Sequence, residues 1–290
     1  MAMHTLREAL AAAAEQKIAL GHFNISDSTQ LHAIVDVAQE LELPVVLGVS
    51  EGERTFLGVP EVAALVASER AQGKAVYLNA DHTHSVEGCK EAIDAGFDSV
   101  IIDCTKLTED ERIAQTREVV AYANASGRDV MIEGELGYIG TSSKLLDSIP
   151  EDVLAAALPS ADDAQRFVEE TGVTALAPAV GNVHGMLKNQ PNPRLHIDLI
   201  AEIRAALPHT PLVLHGGSGI EDEDFTGAIK AGMNLVHINT EIRVAYRKGI
   251  EAGLAADADE IAPYRYLDHG RDQMKEVVRK RLALFAGKAA

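Results

Sequence analysis

Short apolar runs rich in β-branched residues alternate with longer helix-like stretches along this sequence. Eight such runs occur in order: Ile18–Phe23, Val45–Val49, Ala75–Ala80, Ser99–Ile102, Val130–Ile132, Ala175–Val180, Leu212–Leu214 and Leu235–Ile238. They are apolar at consecutive positions, which is typical of strands buried on both faces of a parallel sheet. The alternation therefore predicts an α/β fold.

The stretches between the runs have a helical period, and several end at glycine or proline, as helices commonly do. They include Ser28–Leu41, Pro60–Gln72, Ser85–Ala95, Glu109–Ala125, Asp162–Thr171 and His196–Ala206, and a tail with Glu241–Ala256 and Tyr266–Phe285 follows. Eight β units, seven intervening helices and this tail predict one (β/α)8 TIM barrel with a C-terminal helical extension, from about residue 257 to 290. A doubly wound open sheet is the alternative, but "HFNISDS" lacks the glycine-rich turn that usually follows the first strand there.

Composition favours a single domain over residues 1–290 and argues against several partners. The chain is 47% hydrophobic, enough for one large core. Its net charge of −18 repels phosphate polymers and anionic lipid, so we expect neither nucleic acid nor a membrane surface as a partner. The two cysteines, Cys89 and Cys104, form no disulfide framework or metal motif, which suits a cytoplasmic protein.

The start "REALAAAAEQ" is predicted to be an amphipathic surface helix and not a signal peptide, because its apolar stretch is short and flanked by charges.

One long segment after the fifth run, residues 140–160, interrupts the alternation with "GTSSKLLDSIPEDVLAAALPS". A long loop at the carboxyl end of a barrel strand is usually a functional lid or a disordered segment. We expect a lid over the active site.

Polar side chains are concentrated directly after the predicted strands, where the loops of such a barrel face one pocket. They are Asn24, Ser50, Asp81, His82, Asp103, Glu133, Glu135, Asn182, His184, His215 to Ser218, Asn239 and Thr240. Three of these strand ends carry a histidine: His82, His184 and His215. A single histidine there is more often structural, but three imidazoles with an open fourth position match the needs of a catalytic zinc.

Glycines surround two of these histidines, in "AVGNVHGMLK" (179–188) and "LHGGSG" (214–219). Glycines let the backbone approach a ligand closely and turn successive N–H groups toward an anion. The loops after strands seven and eight are also a frequent phosphate site in barrels. A plain tight turn explains Gly-Gly-Ser equally well, but beside metal-type histidines the pattern suggests a phosphorylated ligand next to a metal.

Seven motifs together resemble the class II, zinc-dependent ketose-bisphosphate aldolases, the fructose- and tagatose-bisphosphate group. They are "GHFNISD", "GVSEG", "DHTHS", "EGELG", "APAVGNVHGMLK", "LHGGSGI" and "INTEIR", and the matches extend from about residue 18 to 285. The resemblance implies a (β/α)8 barrel that assembles as a homodimer or homotetramer. It also implies reversible cleavage of a ketose phosphate into dihydroxyacetone phosphate and an aldehyde, which is glyceraldehyde 3-phosphate for the bisphosphates.

The resemblance also implies residue roles. His82, His184 and His215 would bind one zinc or another divalent metal, and Asp103 and Glu135 match positions that can hold the metal in an alternative place. Asp81 would be the acid/base at the C4 hydroxyl. Substrate and phosphate would contact Asn24, Ser50, Gly181, Gly185, Lys188, Gly216, Gly217, Ser218, Asn239 and Thr240. A monovalent cation near those glycines is also implied by the family.

The chemistry accounts for these residue types. Breaking C3–C4 leaves an enediolate, and a zinc bound by neutral histidines keeps its full charge to stabilise that oxyanion. The C4 hydroxyl must lose its proton, so a carboxylate within reach is required. Lys188 lies in the phosphate-type segment, and no other lysine at a strand end suggests a Schiff base.

Three motifs depart from the family. Relatives carry "GG" and then Q/E-E-D after strand five, whose glutamate handles the C3 proton; here that role is unassigned, with Asp147, Glu151 and Asp152 as candidates. In strand eight, "LVHINT" places Leu235 and His237 where relatives have Lys and Asn, so His237 is either a substrate donor or structural. In the tail, "YLDHGRDQM" has Asp268 where many relatives carry an Arg for the far phosphate, with Arg271 as a possible substitute.

Three alternatives follow. The altered tail and lid allow a substrate that is a ketose 1-phosphate without the far phosphate. An amidohydrolase-type barrel also uses a His-x-His pair, but it places the pair on strand one and needs a lysine on strand four and an aspartate on strand eight, neither of which matches. A non-catalytic barrel subunit is the non-enzyme alternative, and the retained Asp81 and histidines argue against it.

Overall fold

The structure is a computed structural model that describes residues 5–288. Its elements in chain order are α1 (Leu6–Glu15), β1 (Leu20–Asn24), α2 (Ser28–Glu40), β2 (Val45–Val49), α3 (Glu51–Leu57), α4 (Val59–Ala71), β3 (Val76–Thr83), α5 (Val86–Ala95), β4 (Ser99–Ile102), α6 (Glu109–Ala125), β5 (Met131–Leu136), β6 (Leu145–Leu146), α7 (Glu151–Ala155), α8 (Ala161–Thr171), β7 (Ala175–Pro178), β8 (Met186–Leu187), α9 (Ile197–Ala206), β9 (Leu212–Leu214), α10 (Asp222–Ala231), β10 (Met233–Ile238), α11 (Thr240–Ala256) and α12 (Pro263–Phe285).

Eight of the strands close into a parallel barrel in the order β1-β10-β9-β7-β5-β4-β3-β2, so the predicted TIM barrel is confirmed. The closing pair is β1 with β10, where Leu20 lies opposite Leu235 and Phe23 opposite Ile238. Most of the apolar side chains pack between the barrel and the helices around it. Because every strand runs in the same direction, all eight carboxyl ends meet at one face of the barrel.

Helix α1 closes the opposite face of the barrel. Leu6, Leu10 and Ala13 of α1 pack against Leu20, Tyr77 and other residues near the amino ends of the strands. The predicted amphipathic helix is therefore present, with its apolar side buried and its polar side in solvent. A plugged amino end leaves the carboxyl end as the open face.

The C-terminal extension is also confirmed. Helices α11 and α12 pack against each other, and α12 lies against α2. Both cysteines are free thiols, in agreement with the sequence. Within residues 5–288, none of the helices combines the length and the apolar content needed to cross a membrane.

The structure adds elements that the periodicity does not reveal. The expected lid segment, residues 140–160, contains strand β6 and helix α7, and β6 pairs in parallel with β8 on the loop after β7. Two-residue strands are too short to produce an alternating pattern. Strand β3 continues to Thr83 instead of ending at Ala80, so Asp81 and His82 belong to the strand itself.

Candidate active site

The three predicted metal ligands lie together at the open face of the barrel. His82 is in β3, His184 follows β7 and His215 follows β9. Their ring centroids are 4.8 Å (His82–His184), 4.9 Å (His82–His215) and 5.8 Å (His184–His215) apart. One nitrogen from each ring can be chosen so that all three lie within 4.8 Å of one another.

An outer hydrogen-bond partner occupies one nitrogen of each ring and leaves the other nitrogen for the centre. The pairs are His82 Nδ1 with Asp103 Oδ2 at 3.0 Å, His184 Nδ1 with the Gly140 carbonyl at 2.6 Å, and His215 Nε2 with Glu133 Oε1 at 2.6 Å. Such outer partners typically fix the tautomer and the orientation of metal-binding histidines. The two inward atoms His82 Nε2 and His215 Nδ1 are 3.2 Å apart, close to the edge of about 3.3 Å in a tetrahedral zinc site.

The charges around the rings favour a bound cation. Burial lowers the pKa of His82, but Asp81, Asp103 and Glu135 outweigh it and raise that pKa to about 10. The same carboxyl groups would attract a metal ion in place of the proton. Among the described residues, the buried atoms Asp81 Oδ1 and Glu135 Oε2 have no hydrogen-bond partner. Three nitrogen donors with surplus carboxylate oxygens fit a divalent metal.

Strand β3 is irregular at the point where it supplies Asp81 and His82. Its pairing with β4 shifts register between Ala80 and Thr83, and His82 has a φ of 37°. A positive φ is unfavourable for a residue with a Cβ, and such strain is concentrated at functional positions. The irregularity directs two consecutive side chains toward the same centre, which a regular strand does not do.

Asp81 lies beside the metal-type ring with one oxygen held and one free. Asn24 Nδ2 donates to Asp81 Oδ2 at 2.9 Å. The other oxygen, Oδ1, is 3.8 Å from His82 Nε2 and 3.7 Å from His237 Nδ1. Burial raises the pKa of Asp81, but the neighbouring imidazoles, His82 first, offset it and hold the pKa below its usual range. Asp81 is thus an ionised carboxylate with an available acceptor.

Glu53 organises the wall next to Asp81 and was missed from the sequence. It is buried, and it accepts hydrogen bonds from Asn24 Nδ2 at 2.9 Å, the Ser50 backbone N–H at 2.7 Å, the Ser50 hydroxyl at 2.9 Å, and Arg243. Ser50 and Glu53 have the S-x-x-E spacing of a capping box, which was a usable signal. Arg243 lies one helical turn after Asn239, the N-cap residue of α11. Residues one turn apart lie on the same side of a helix, so the side chain of Arg243 could have been predicted to face the site.

A narrow cavity of about 30 Å³ lies on the glycine-rich side of the histidines. It brings together most of the predicted phosphate and substrate residues: Asn24, Gly185, Gly216, Ser218, His237, Asn239 and Thr240. Gly216 has a φ of 61°, and a Cβ there would be 2.2 Å from the Val183 carbonyl oxygen, so only glycine fits. The 17-residue helix α11 begins at Thr240, so its N-terminus gives this cavity a favourable environment for an anion.

A wider cavity of about 340 Å³ opens on the other side of the histidines. Ser50, His84 and Arg243 line it, together with Thr141 and Ser143 of the lid segment. Ser143 lines both cavities, as do Asp81, His82, His184 and Asn239. The two cavities thus form one elongated site with Asp81 and the histidines in the middle.

Several predicted residues lie outside both cavities. Gly181 and Gly217 are in the adjoining loops but do not line them, and Lys188 Nζ instead binds Asp147 Oδ1 at 2.8 Å. Glu151 is exposed, and Asp152 accepts from the Tyr138 hydroxyl at 2.9 Å. Arg271 pairs with Asp268 at 2.9 Å on the surface of the same chain. In the single chain, these residues therefore do not line the site for which they were predicted.

The sequence model of fructose-bisphosphate aldolase class-II matches residues 4–289. The chain belongs to this family. Fructose-bisphosphate aldolase from Staphylococcus aureus (strain Mu50) is 37% identical over 291 residues, 98% of each chain. That from Geobacillus stearothermophilus is 36% identical over 296 residues, 100% of each chain. The crystal structure of the YdjI aldolase from Escherichia coli K12 superimposes with a TM-score of 0.80 at 27% identity, covering 98% of this chain and 97% of that one.

Membership of the class II aldolases makes the chain a lyase that cleaves a carbon–carbon bond of a phosphorylated sugar by a retro-aldol reaction. The family is metal-dependent, and the histidine cluster at the open face of the barrel is a group that can hold the metal.

Glu133 provides a test of the outer hydrogen bonds. We expect Glu133→Gln to weaken metal binding by about 10-fold or more, because the carboxylate that holds the proton on His215 Nε2 is lost. Competition titration of zinc against a chromophoric chelator measures the affinity. Glu151→Gln, the same change at an exposed position, is the control, and equal affinity in both variants would show that Glu133 does not orient His215.

Proposed function

We propose that the metal is one zinc per subunit, held by His82, His184 and His215. Support comes from the three outer hydrogen bonds, which leave one nitrogen of each ring facing the centre. When bound, the metal supplies positive charge that stabilises the enediolate oxygens. Another divalent ion could occupy the same donors, and Asp103 with Glu135 is the proposed alternative position.

Asp81 is the proposed base for the C4 hydroxyl during cleavage and the acid in the reverse direction. The observation behind this role is the free, buried Oδ1 atom next to His82, with Oδ2 held by Asn24. The bond from Asn24 fixes the carboxylate plane, so the unbonded oxygen faces the cavity in a constant direction. As C3–C4 breaks, the C4 oxygen becomes a carbonyl and its proton moves to Asp81 Oδ1.

The narrow cavity is the proposed site for the phosphate of the dihydroxyacetone half. Ser218 Oγ accepts from the backbone N–H groups of Asn239 at 3.2 Å and Glu241 at 3.1 Å. These contacts leave the hydroxyl proton of Ser218 available to a phosphate oxygen. Gly181, Gly217 and Lys188, and a monovalent cation beside the glycines, remain predictions, as does assembly into a homodimer or homotetramer.

The wider cavity is the proposed site for the far end of the sugar, and Arg243 favours a second phosphate there. A guanidinium has five N–H donors, and the bond to Glu53 leaves others for an anion at the cavity wall. We therefore propose a ketose 1,6-bisphosphate as the substrate. A ketose 1-phosphate is the second candidate, because Glu51 and Asp103 also line this cavity and repel a phosphate.

Metal removal tests the first part of this proposal. We expect exhaustive chelation to abolish retro-aldol activity and stoichiometric zinc to restore it, since no other group within the described site carries a comparable positive charge to the enediolate. Metal content by mass spectrometry and a coupled assay for dihydroxyacetone phosphate are the measurements. Full activity in metal-free protein would contradict the proposal.

Asp81→Asn tests the proton transfer. The substitution keeps the size of the side chain but removes the base, and we expect a loss of kcat on the order of 10²–10⁴-fold with zinc content unchanged. The control is Asp198→Asn, since Asp198 is exposed on α9 and lines neither cavity. A near-normal kcat for Asp81→Asn would exclude Asp81 as the base.

Arg243→Ala tests the far end of the substrate. We expect kcat/KM for fructose or tagatose 1,6-bisphosphate to fall by about 10–100-fold, the value of a hydrogen bond to a charged group, with little change for a ketose 1-phosphate. Arg247→Ala, one turn further along α11 and exposed, is the matched control. If the unmodified enzyme prefers a ketose 1-phosphate, the second candidate is correct.

A further inference from the structure

His22 was not among the predicted site residues, yet it takes part in a column of three imidazole rings. It is fully buried inside the barrel, and the register of the closing strands places it opposite His237. The rings of His22 and His237 stack with centroids 3.5 Å apart and planes within 2°. On its other side, His237 stacks on the metal-type ligand His215 at 4.3 Å and 20°.

The orientation of the His22 ring is fixed by neighbours that do not touch the active-site cavities. Its Nε2 is 3.0 Å from Asn79 Oδ1, and the Asn79 amide donates to Ser99 Oγ at 2.7 Å. Because that amide nitrogen is used by Ser99, the oxygen must accept, so His22 Nε2 carries the proton. Gly48 provides the space, since a Cβ there would lie 2.1 Å from His22 Cε1.

The pair His22 and His237, with Asp81 beside it, meets the distance criterion for a second metal cluster, but its geometry opposes that role. The lone pairs of two parallel stacked rings lie in two separate, parallel planes, so they do not converge on one ion. Burial also lowers the pKa of both histidines, which favours uncharged rings. The pair is therefore a neutral hydrogen-bonding unit.

His237 is the member of the column that reaches the substrate. It lines the narrow cavity, and its Nδ1 is 3.7 Å from the free Asp81 Oδ1. This separation is too long for a hydrogen bond, but one oxygen atom placed beside both can contact both. Among the described residues, His237 Nε2 is also without a partner.

We propose that His237 hydrogen-bonds a substrate oxygen at the carbons that separate, next to Asp81, and that His22 is the positioning residue for its ring. The inference rests on the proposed function, because the oxygen belongs to the sugar that Asp81 deprotonates. His22 acts by stacking: it prevents the His237 ring from tilting away from the cavity, while His215 supports the opposite face.

A double-mutant cycle with kinetic and binding readouts tests this role. We expect His22→Ala to lower kcat by about 10-fold, with zinc affinity and the binding of dihydroxyacetone phosphate within 2-fold of the unmodified enzyme, an effect comparable to one lost hydrogen bond. His237→Ala, which removes the donor, should give a loss of similar size. The double variant should be no worse than His237→Ala alone, because both changes disable the same ring. His209→Ala, at an exposed position, is the control.

His22→Phe separates positioning from general packing, because a planar ring can stack on His237 without the bond to Asn79. We expect it to retain most of kcat. Additive losses in the double variant, or a loss of kcat of about 10-fold or more in His22→Phe relative to the unmodified enzyme, would overturn the proposal. The phenylalanine result still decides if the alanine variant does not fold. Failure of the proposed function is distinct: the unmodified zinc-loaded enzyme would then cleave no ketose phosphate.

Discussion

The parallel pairing of β1 with β10 is the constraint on which the site depends, because it converts a row of strands into a ring. In an open sheet, β1 and β10 would lie at opposite edges, and their side chains could not share a cavity. Closure places His22 of β1 beside His237 of β10. The closed barrel also brings Arg243, in the helix after β10, to Glu53, in the helix after β2. The chemistry thus draws on nearly every part of the sequence.

Several carboxyl groups are packed among the imidazole rings in the interior of the open end of the barrel. Asp81, Asp103, Glu133 and Glu135 are all buried there, and burying a charge without compensation is costly. Burial raises the pKa of Glu135 to about 8, a sign that the protein alone does not fully compensate it. A metal cation held by the proposed histidine ligands would offset this excess. Metal binding would therefore also stabilise this end of the barrel, because the cation compensates the buried carboxyl groups.

The sequence was sufficient to predict the barrel and the convergence of the three histidines, because buried parallel strands leave an unbroken apolar signal and the polar residue after each one is conspicuous. The sequence was insufficient where the role of a residue depends on which side-chain atoms lie close together in the folded chain. Lys188 was predicted to bind phosphate and Asp147 was a candidate for the C3 proton, and the structure shows in addition that they pair with each other. His22 was hidden inside an apolar run, although it is two residues before Asn24 and therefore on the same inner side of β1. Glu53 and Arg243 meet only after closure, across a sequence separation that no local pattern reports.

The lid segment contacts one of the three histidines directly through a hydrogen bond. The Gly140 carbonyl, at the start of that segment, accepts from His184 Nδ1, and β6 pairs with the loop that carries His184. Opening the lid enough to release a product would withdraw that acceptor, and the ring would become free to exchange its tautomer. Each turnover would then include a moment at which the metal is held by two firmly oriented ligands and one loose one. Retention of the metal during repeated turnover would then depend on how often the lid opens, and an idle enzyme with a closed lid would keep its metal longest.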